Sequence, residues 1–283
     1  DQLISLAAAI SQSVTYYKGQ LMNQGKIKFE DASGYDQMMG VWSQLVGEGF
    51  LKWLAPKKGQ RWLDIGCGGG AFTEQLMLSC APSYLAGVDP SEDQLAFAQK
   101  RPSLQTAEFR KSDAMELPFE ENEFDAATMA LVLFFVPEPR RGVAEMLRVT
   151  RPGASISAYV WDIHNGGFPP EPIKAQLQKM RVEFPLPPSS HISKMTSLRS
   201  LWTDFQLSDI ETQVIKVSRG FNNFDDFWSI TTNSASIKVA LSNLSTNLLA
   251  DLREAVQNEL PSNEDGSITY TAFANAIKGK VSK

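Results

Sequence analysis

The chain has 283 residues, of which 43% are hydrophobic, and this suits one large buried core with or without an added cap. Its formal net charge is −5 and its pI about 5.2, with no basic run, so a nucleic-acid-binding surface is not apparent. No stretch is apolar for long enough to span a membrane, and LISLAAAIS near the start lacks the basic residues of a signal peptide. The two cysteines lack metal-ligand spacing, so we expect free thiols, no bound metal and a cytoplasmic protein. Because the chain does not begin with Met, we expect upstream residues to be missing or processed.

The first 58 residues are interpreted as an N-terminal helical segment. Apolar residues at intervals of four and three predict a helix over residues 3–24, which Gly25 would end. This helix is expected to lie on the core; a lid over the site and a homodimer interface are the alternatives. A second helix is predicted to end before Pro56.

Strand and helix patterns alternate through the next hundred residues. Strands are predicted near 61–66, 84–89, 108–113, 124–132 and 154–161, and helices near 70–80, 91–101, 138–150 and 171–182. Such alternation predicts a parallel sheet with helices on both faces, which binds its ligand at the carboxyl ends of the strands.

The most informative segment is RWLDIGCGGGAFTEQLMLSCAPSYLAGVD, residues 61–89. It reads as a strand, a glycine-rich turn, a helix and a second strand that ends in an acid, which is typical of a nucleotide-cofactor site. The glycines formally satisfy the dinucleotide pattern, so a nicotinamide-dependent oxidoreductase is one alternative. Asp64 argues against it, because a carboxylate beside the glycine turn would repel a pyrophosphate and attract a cation.

Five segments in order resemble the motifs of class I S-adenosylmethionine-dependent methyltransferases, especially the group of ubiquinone and menaquinone biosynthesis enzymes. They are LDIGCGGG, VDPS, SDAMELPF, FDAATMALVLFFV and LRVTRPGA, and the resemblance covers roughly residues 35–161. It implies an α/β fold with a Rossmann-like, doubly wound, seven-stranded sheet, mostly parallel with an antiparallel last strand, plus N-terminal helices and a helical cap. The domain divisions are 1–58, the cofactor-binding core 59–162, a cap insertion 163–208, and 209–283, which completes the sheet and holds a helical insertion at 221–262.

The resemblance and the chain pattern together give S-adenosylmethionine as the cofactor, S-adenosylhomocysteine as the product, and one set of binding residues. These are Tyr35, Trp42, Asp64, Gly66, Cys67, Gly68, Gly70, Asp89, Pro90, Ser91, Asp113, Ala114, Met129 and Ala130.

Each group in this set has an expected role. The glycines let the backbone approach the amino-acid half of the cofactor, whose ammonium Asp64 would hold. Asp89 would accept hydrogen bonds from the ribose hydroxyls, with Pro90 and Ser91 beside it, and Asp113 with the Ala114 N–H would bind the adenine edge. The backbone at 129–130 would line the methionine moiety, and Tyr35 and Trp42 would close over the cofactor. Ordinary packing of the two aromatic residues, a helix-start role for Asp89 and a turn role for Asp113 are the alternatives.

Methyl transfer by SN2 attack needs alignment more than acid catalysis, but an acceptor that must lose a proton benefits from a base. His164, in WDIHNGG after the fifth strand, is the candidate catalytic base, with a solvated loop histidine as the alternative. The acceptor is expected to be a small, partly apolar molecule, selected by segments 165–205 and 221–262, rather than a nucleic acid or a membrane. A further alternative is a catalytically silent cofactor-binding module that acts through a partner at its N-terminal helix.

Overall fold

The computed structural model describes residues 32–242 and 244–282, with side chains from Met39 onward. Seven strands form one sheet in the order β3-β2-β1-β4-β5-β7-β6. The strands are β1 (Arg61–Ile65), β2 (Tyr84–Asp89), β3 (Glu108–Lys111), β4 (Phe124–Ala130), β5 (Thr150–Trp161), β6 (Ser208–Phe221) and β7 (Ile268–Lys280). The first five strands pair in parallel, and β7 runs antiparallel to both β5 and β6. The predicted fold class, including the antiparallel last strand, is confirmed.

Nine helices surround this sheet in the described part of the chain. They are α1 (Ala32–Leu54), α2 (Ala71–Cys80), α3 (Glu92–Ala98), α4 (Pro139–Val149), α5 (Glu171–Lys179), α6 (Met195–Asp204), α7 (Phe224–Thr232), α8 (Ala235–Leu241) and α9 (Thr246–Glu259). Among the described residues, no helix combines the length and the apolar character needed to cross a bilayer. The predicted helix over residues 3–24, with its lid and homodimer alternatives, lies outside the described residues.

Four strand boundaries differ from the sequence prediction: β1 and β4 end at Ile65 and Ala130 rather than at 66 and 132, and the other two differences have local reasons. β3 ends at Lys111 rather than at 113, because Asp113 forms a bridge with Glu116 and its Oδ1 accepts the Met115 N–H at 2.8 Å. β5 begins at Thr150 rather than at 154, because its first residue already pairs with β4 before a register shift. The difference in β3 moves its carboxyl end back by two residues, so Asp113 lies in the turn after the strand, whereas the difference in β5 is at its amino end.

Helix α1 covers one face of the sheet through close aromatic packing. The ring centroids of Phe50 and Tyr159, the latter on β5, are 4.6 Å apart. A Cβ on Gly49 would lie 2.8 Å from Ile215 Cγ2 on β6, so the helix approaches this strand as closely as a glycine allows. Trp42, near the middle of α1, is 2% exposed.

The helices in the predicted cap and in the C-terminal insertion differ from the sequence interpretation in how they pack and where they begin. Trp202 of α6 packs on the sheet, since a Cβ on Gly279 of β7 would lie 2.9 Å from Trp202 Cδ1. The sequence of the C-terminal insertion has apolar residues at the spacing of one helix, but the structure divides them between α8, α9 and the short connection that joins the two helices; they are Leu241, Leu244, Leu248, Leu252 and Val256. Ser245 caps α9 by accepting the Leu248 N–H at 3.3 Å, so the chain begins a new helix there.

Sheet order places one crevice at the carboxyl ends of the strands. β1 lies between β2 and β4, so the chain winds away from β1 in opposite directions on its two sides. Asp64 belongs to β1, Asp89 ends β2 and Ala130 ends β4. Ligands of doubly wound sheets bind at this switch point, and most of the predicted cofactor residues lie around it.

Candidate cofactor site

The turn after β1 is a glycine loop in which the glycines serve different purposes. Gly66, Gly68 and Gly70 have φ angles of 73°, 50° and 80°, a region that other residues enter only with strain. A Cβ on Gly66 would lie 2.5 Å from Val132 Cγ2, and a Cβ on Gly70 would lie 2.9 Å from the Ala98 Cβ. Gly68 has no such neighbour closer than 3.8 Å. The first and last glycines therefore permit tight packing, and the backbone at Gly68 is open to a ligand.

Asp64 is a buried carboxylate with one oxygen left without a partner. Its side chain has no exposed surface, and Oδ2 accepts the Thr73 hydroxyl at 2.6 Å. Oδ1 is also buried and has no hydrogen-bond partner among the described residues. Burial raises the pKa of Asp64 to about 7; the bond from Thr73 opposes this and the charge of Asp89 adds to it. Such an oxygen fits a cationic group, which would satisfy the hydrogen bond and favour ionisation.

Asp89 is held in place by two backbone groups. Its Oδ2 accepts the Gly68 N–H and its Oδ1 accepts the Ser91 N–H, both at 2.9 Å. Burial raises the pKa of Asp89, and these two bonds partly offset the shift. Ser91 begins α3, as its hydroxyl accepts the Gln94 N–H. Each carboxylate oxygen can accept more than one hydrogen bond, so this fixed group could also receive ribose hydroxyls.

The predicted adenine-binding residues form an exposed turn. Asp113 is exposed, and Oδ1 accepts the Met115 N–H in the turn that follows β3. Ala114 is half-buried beside it, and Pro90 is exposed after β2. The turn role of Asp113 is therefore observed, and its binding to adenine stays a prediction.

The ends of β4 and α1 present the remaining predicted residues. Met129 is fully buried and its side chain faces α4, since a Cβ on Gly142 would lie 3.2 Å from Met129 Cε, so only its backbone could line the crevice. Ala130 is half-buried at the end of the strand. The ring of Trp42 packs edge-on against Trp161 and Tyr270, at centroid distances of 6.4 and 6.3 Å.

Trp42 therefore has the ordinary packing role that was the alternative to cofactor binding, and its contact with the cofactor stays a prediction. Tyr35 lies on α1, and its side chain is outside the described residues. Val132, which the sequence analysis did not select, packs directly on Gly66. Its signal was only its place two residues after β4.

Cys67 fills space within the glycine loop. It is 7% exposed, and burial followed by the charges of Asp64 and Asp89 raises the pKa of its thiol well above the usual value. Its Sγ would lie 2.9 Å from a Cβ on Gly87 of β2. The small side chain thus fits between loop and strand as a neutral thiol, in keeping with the choice of a small residue at this position.

His164 lies in an exposed turn after β5 that is anchored by a buried polar network. Asp162, 5% exposed, accepts the side-chain amides of Asn165 at 3.0 Å and Asn275 at 2.9 Å. Lys174 Nζ donates to the Ile163 carbonyl at 2.6 Å. His164 itself is exposed, as expected for either a solvated histidine or a base at the mouth of the site. Sequence reasoning missed Asn275, which is 113 residues from Asp162 and carries no local signal.

Comparison with known proteins agrees with this geometry. Residues 63–158 match the family described as Methyltransferase domain. The demethylmenaquinone methyltransferase of Clavibacter sepedonicus is 35% identical over 132 residues, which cover 45% of this chain and 53% of that protein. The 2-phytyl-1,4-naphtoquinone methyltransferase of Nostoc punctiforme is 34% identical over 134 residues, 46% of this chain and 56% of that protein. The matched part thus spans about half the length of these curated relatives.

Solved structures share the fold at lower identity. The YcgJ protein from Bacillus subtilis superimposes with a TM-score of 0.54 at 20% identity, covering 84% of this chain and 98% of that one. Phosphoethanolamine N-methyltransferase 2 of Haemonchus contortus, in complex with S-adenosyl-L-methionine, gives 0.55 at 20% identity, covering 89% of this chain and 57% of that one. The glycine loop, Asp64, Asp89 and strands β2 to β4 all lie in the part that the family matches. Residues 63–158 of this chain are thus similar to a methyltransferase domain, and the chain shares the fold of solved methyltransferase structures.

Proposed function

We propose that the protein transfers the methyl group of S-adenosylmethionine to a small, partly apolar acceptor. The observation that carries the proposal is the pair of acids at the switch point. Asp64 presents a buried, unpartnered oxygen where an ammonium would bind, and Asp89 is fixed beside the loop by Gly68 and Ser91. A dinucleotide pyrophosphate on the glycine loop would meet the negative charge of Asp64, so the nicotinamide alternative is disfavoured.

In this proposal each part of the site has one task. The glycine loop with Asp64 holds the amino-acid half of the cofactor, and Asp89 holds the ribose. Bound S-adenosylmethionine supplies an electrophilic methyl group on a sulfonium. The protein then contributes mainly by aligning the acceptor and excluding water, with His164 able to take a proton from the acceptor at the mouth of the site.

The acceptor side of the crevice supports a partly apolar molecule. Half-buried apolar side chains follow the carboxyl ends of two strands: Val132 and Phe135 after β4, and Phe168 after β5. Because β7 runs antiparallel to β5, the first residues of β7 lie at the same edge of the sheet as the carboxyl end of β5. Tyr270, one of these residues, is also half-buried. Flat apolar rings pack well against such residues. Two relatives are named for methylation of naphthoquinone-type molecules, which makes a reduced naphthoquinone the first acceptor to test.

The protein is proposed to act in the cytoplasm, on the basis of its sequence and its free thiols. Cys67 and Cys80 are both buried and free, as expected in the cytoplasm. A homodimer through the N-terminal helix and action through a partner stay predictions.

Calorimetric titration with S-adenosylmethionine, S-adenosylhomocysteine and NADH, side by side, tests the cofactor. Micromolar binding of the two sulfur compounds without binding of NADH supports the proposal, and binding of NADH alone refutes it. A methyl-transfer assay with an alkylated 1,4-naphthoquinol then tests the acceptor class, with cofactor turnover above the acceptor-free rate as the expected result.

A further inference from the structure

Arg101 binds the glycine loop from outside. It lies just after α3, and its Nε donates to the Gly69 carbonyl at 2.6 Å. Its NH1 group donates to Glu74 Oε2 at 2.8 Å, in the first turn of α2. The guanidinium lies over the ring of Phe97, 5.5 Å from the centroid, and the side chain is 18% exposed. One side chain thus joins the glycine loop, the helix that follows it and the β2–β3 connection.

The Gly69 carbonyl needs a hydrogen-bond donor from outside the loop and α2. The first backbone bond of α2 runs from Glu74 N to Gly70 O, so the oxygen of Gly69 lies outside the helical ladder. A peptide unit is planar, so fixing this oxygen also fixes the N–H of Gly70. That N–H closes the loop by donating to Cys67 O at 2.9 Å.

The loop is therefore held by two charged side chains at two peptide groups that are separated by one other peptide group. Asp89 accepts the Gly68 N–H on one side, and Arg101 donates to the Gly69 carbonyl on the other. Glycine backbone is otherwise the most conformationally free part of a chain, and freedom here would cost binding energy. Arginine suits the position because its separate N–H groups can bond a carbonyl and a carboxylate at once, which a lysine ammonium does less well.

We propose that Arg101 is a positioning residue for the amino-acid half of the cofactor. It acts through the Gly69 carbonyl and touches neither cofactor nor acceptor, and this inference rests on the proposed function. Its effect is confined to the part of the cofactor that lies on the glycine loop.

Two ligands that share the nucleoside separate this role from general stability. S-adenosylhomocysteine carries the amino-acid half, and 5′-methylthioadenosine lacks it. Calorimetry on Arg101→Met should show an affinity for S-adenosylhomocysteine that is at least about tenfold weaker, roughly 1.4 kcal/mol. The affinity for 5′-methylthioadenosine should change by less than about twofold, roughly 0.4 kcal/mol. Arg101→Lys should recover part of the loss.

Arg140 offers a matched control. It also pairs with a carboxylate, Asp204, and its guanidinium lies 5.2 Å from the ring centroid of Phe205, but these partners belong to α6 and the residue after it rather than to the glycine loop. Arg140→Met should leave the affinities for both ligands unchanged. If Arg101→Met does not fold, Glu74→Gln, which removes the negative charge that pairs with the guanidinium, should show the same ligand-selective loss on a smaller scale.

Equal weakening of both ligands in Arg101→Met, or unchanged affinity for S-adenosylhomocysteine, would overturn the positioning role. Failure of the unmodified protein to bind S-adenosylhomocysteine would overturn the proposed function itself, so the two failures are distinguishable.

Discussion

Replacing Asp64 by Asn should stabilise the protein at neutral and alkaline pH and weaken cofactor binding. Asp64 is fully buried, and its Oδ1 lacks a partner, so its ionised form is costly within the fold. Asn has nearly the same shape and can still accept the Thr73 hydroxyl, but it does not ionise. The variant thus removes the charge and leaves the packing largely intact.

The size of the effect follows from the pKa of this group. Burial raises the pKa of Asp64 from its ordinary value of 3.8 to about 7. Three pKa units correspond to about 4 kcal/mol, at 1.36 kcal/mol for each unit. Between these pH values the unfolded chain releases the proton and the folded chain retains it, so the free energy of unfolding falls as pH rises. The stability from the neutral carboxyl is complete below about pH 4 and lost above about pH 7.

Urea denaturation of the wild type and Asp64→Asn at several pH values between 4.5 and 8 measures this difference. The two proteins should have similar free energies of unfolding at the acid end, and the variant should gain up to about 4 kcal/mol at the alkaline end. Calorimetry should show that the variant binds S-adenosylhomocysteine at least about tenfold more weakly at pH 8, because it lacks the anion. Asp93→Asn, which removes an exposed carboxylate of α3, is the control and should change stability by less than about 1 kcal/mol.

A stability difference that stays constant between pH 5 and pH 8 would refute the assignment of the raised pKa to Asp64. Unchanged cofactor affinity in the variant would refute its role at the ammonium.

Three further predictions concern the other site residues. Asp89→Ala should weaken binding of S-adenosylhomocysteine at least about tenfold in calorimetry, since the loop and the ribose lose one acceptor, and unchanged affinity would refute the ribose assignment. His164→Ala should leave the melting temperature unchanged and slow the methylation of a naphthoquinol. His191 is also exposed, and the control His191→Ala should leave both the melting temperature and the methylation rate unchanged. A pH–rate profile that His164→Ala does not alter would dismiss His164 as the base. Gly70→Ala and Gly153→Ala both place a Cβ at a φ near 80°, which costs about 1–2 kcal/mol. Only at position 70 does the Cβ also clash, so Gly70→Ala should lose about 1–3 kcal/mol more in urea denaturation, and equal losses would contradict the packing role.

The cofactor-binding core was predictable because its signals are local. β2 ends at Asp89 as the apolar run ends, and the glycines occur where the chain must turn sharply after β1. The alternation of strands and helices fixes a parallel sheet, and right-handed crossovers leave few ways to order it. Local pattern is therefore enough to predict that Asp64, Gly66 and Asp89 lie close together.

The parts that could not be predicted depend on contacts between distant residues. Asn275 anchors the turn after β5 through Asp162, and Trp202 covers Gly279 on β7. Neither pairing has a spacing rule that a sequence displays. The stripe from Leu241 to Val256 shows the same limit, because its period fits one helix while a serine cap starts a new one within it.

The burial of the Asp64 carboxylate lowers the stability of the fold and also prepares this group to bind a cation. A carboxylate with a pKa of about 7 is half neutral near physiological pH, and the neutral form has little attraction for an ammonium. Binding a cation favours the ionised form, so cofactor binding should release a proton below pH 7 and should tighten as pH rises through that value. Thr73 limits the cost, since its hydroxyl bond favours the ionised form before any ligand arrives. A fold optimised for stability alone would place an uncharged side chain at position 64, so the carboxylate there supports the proposal that this position binds a cation.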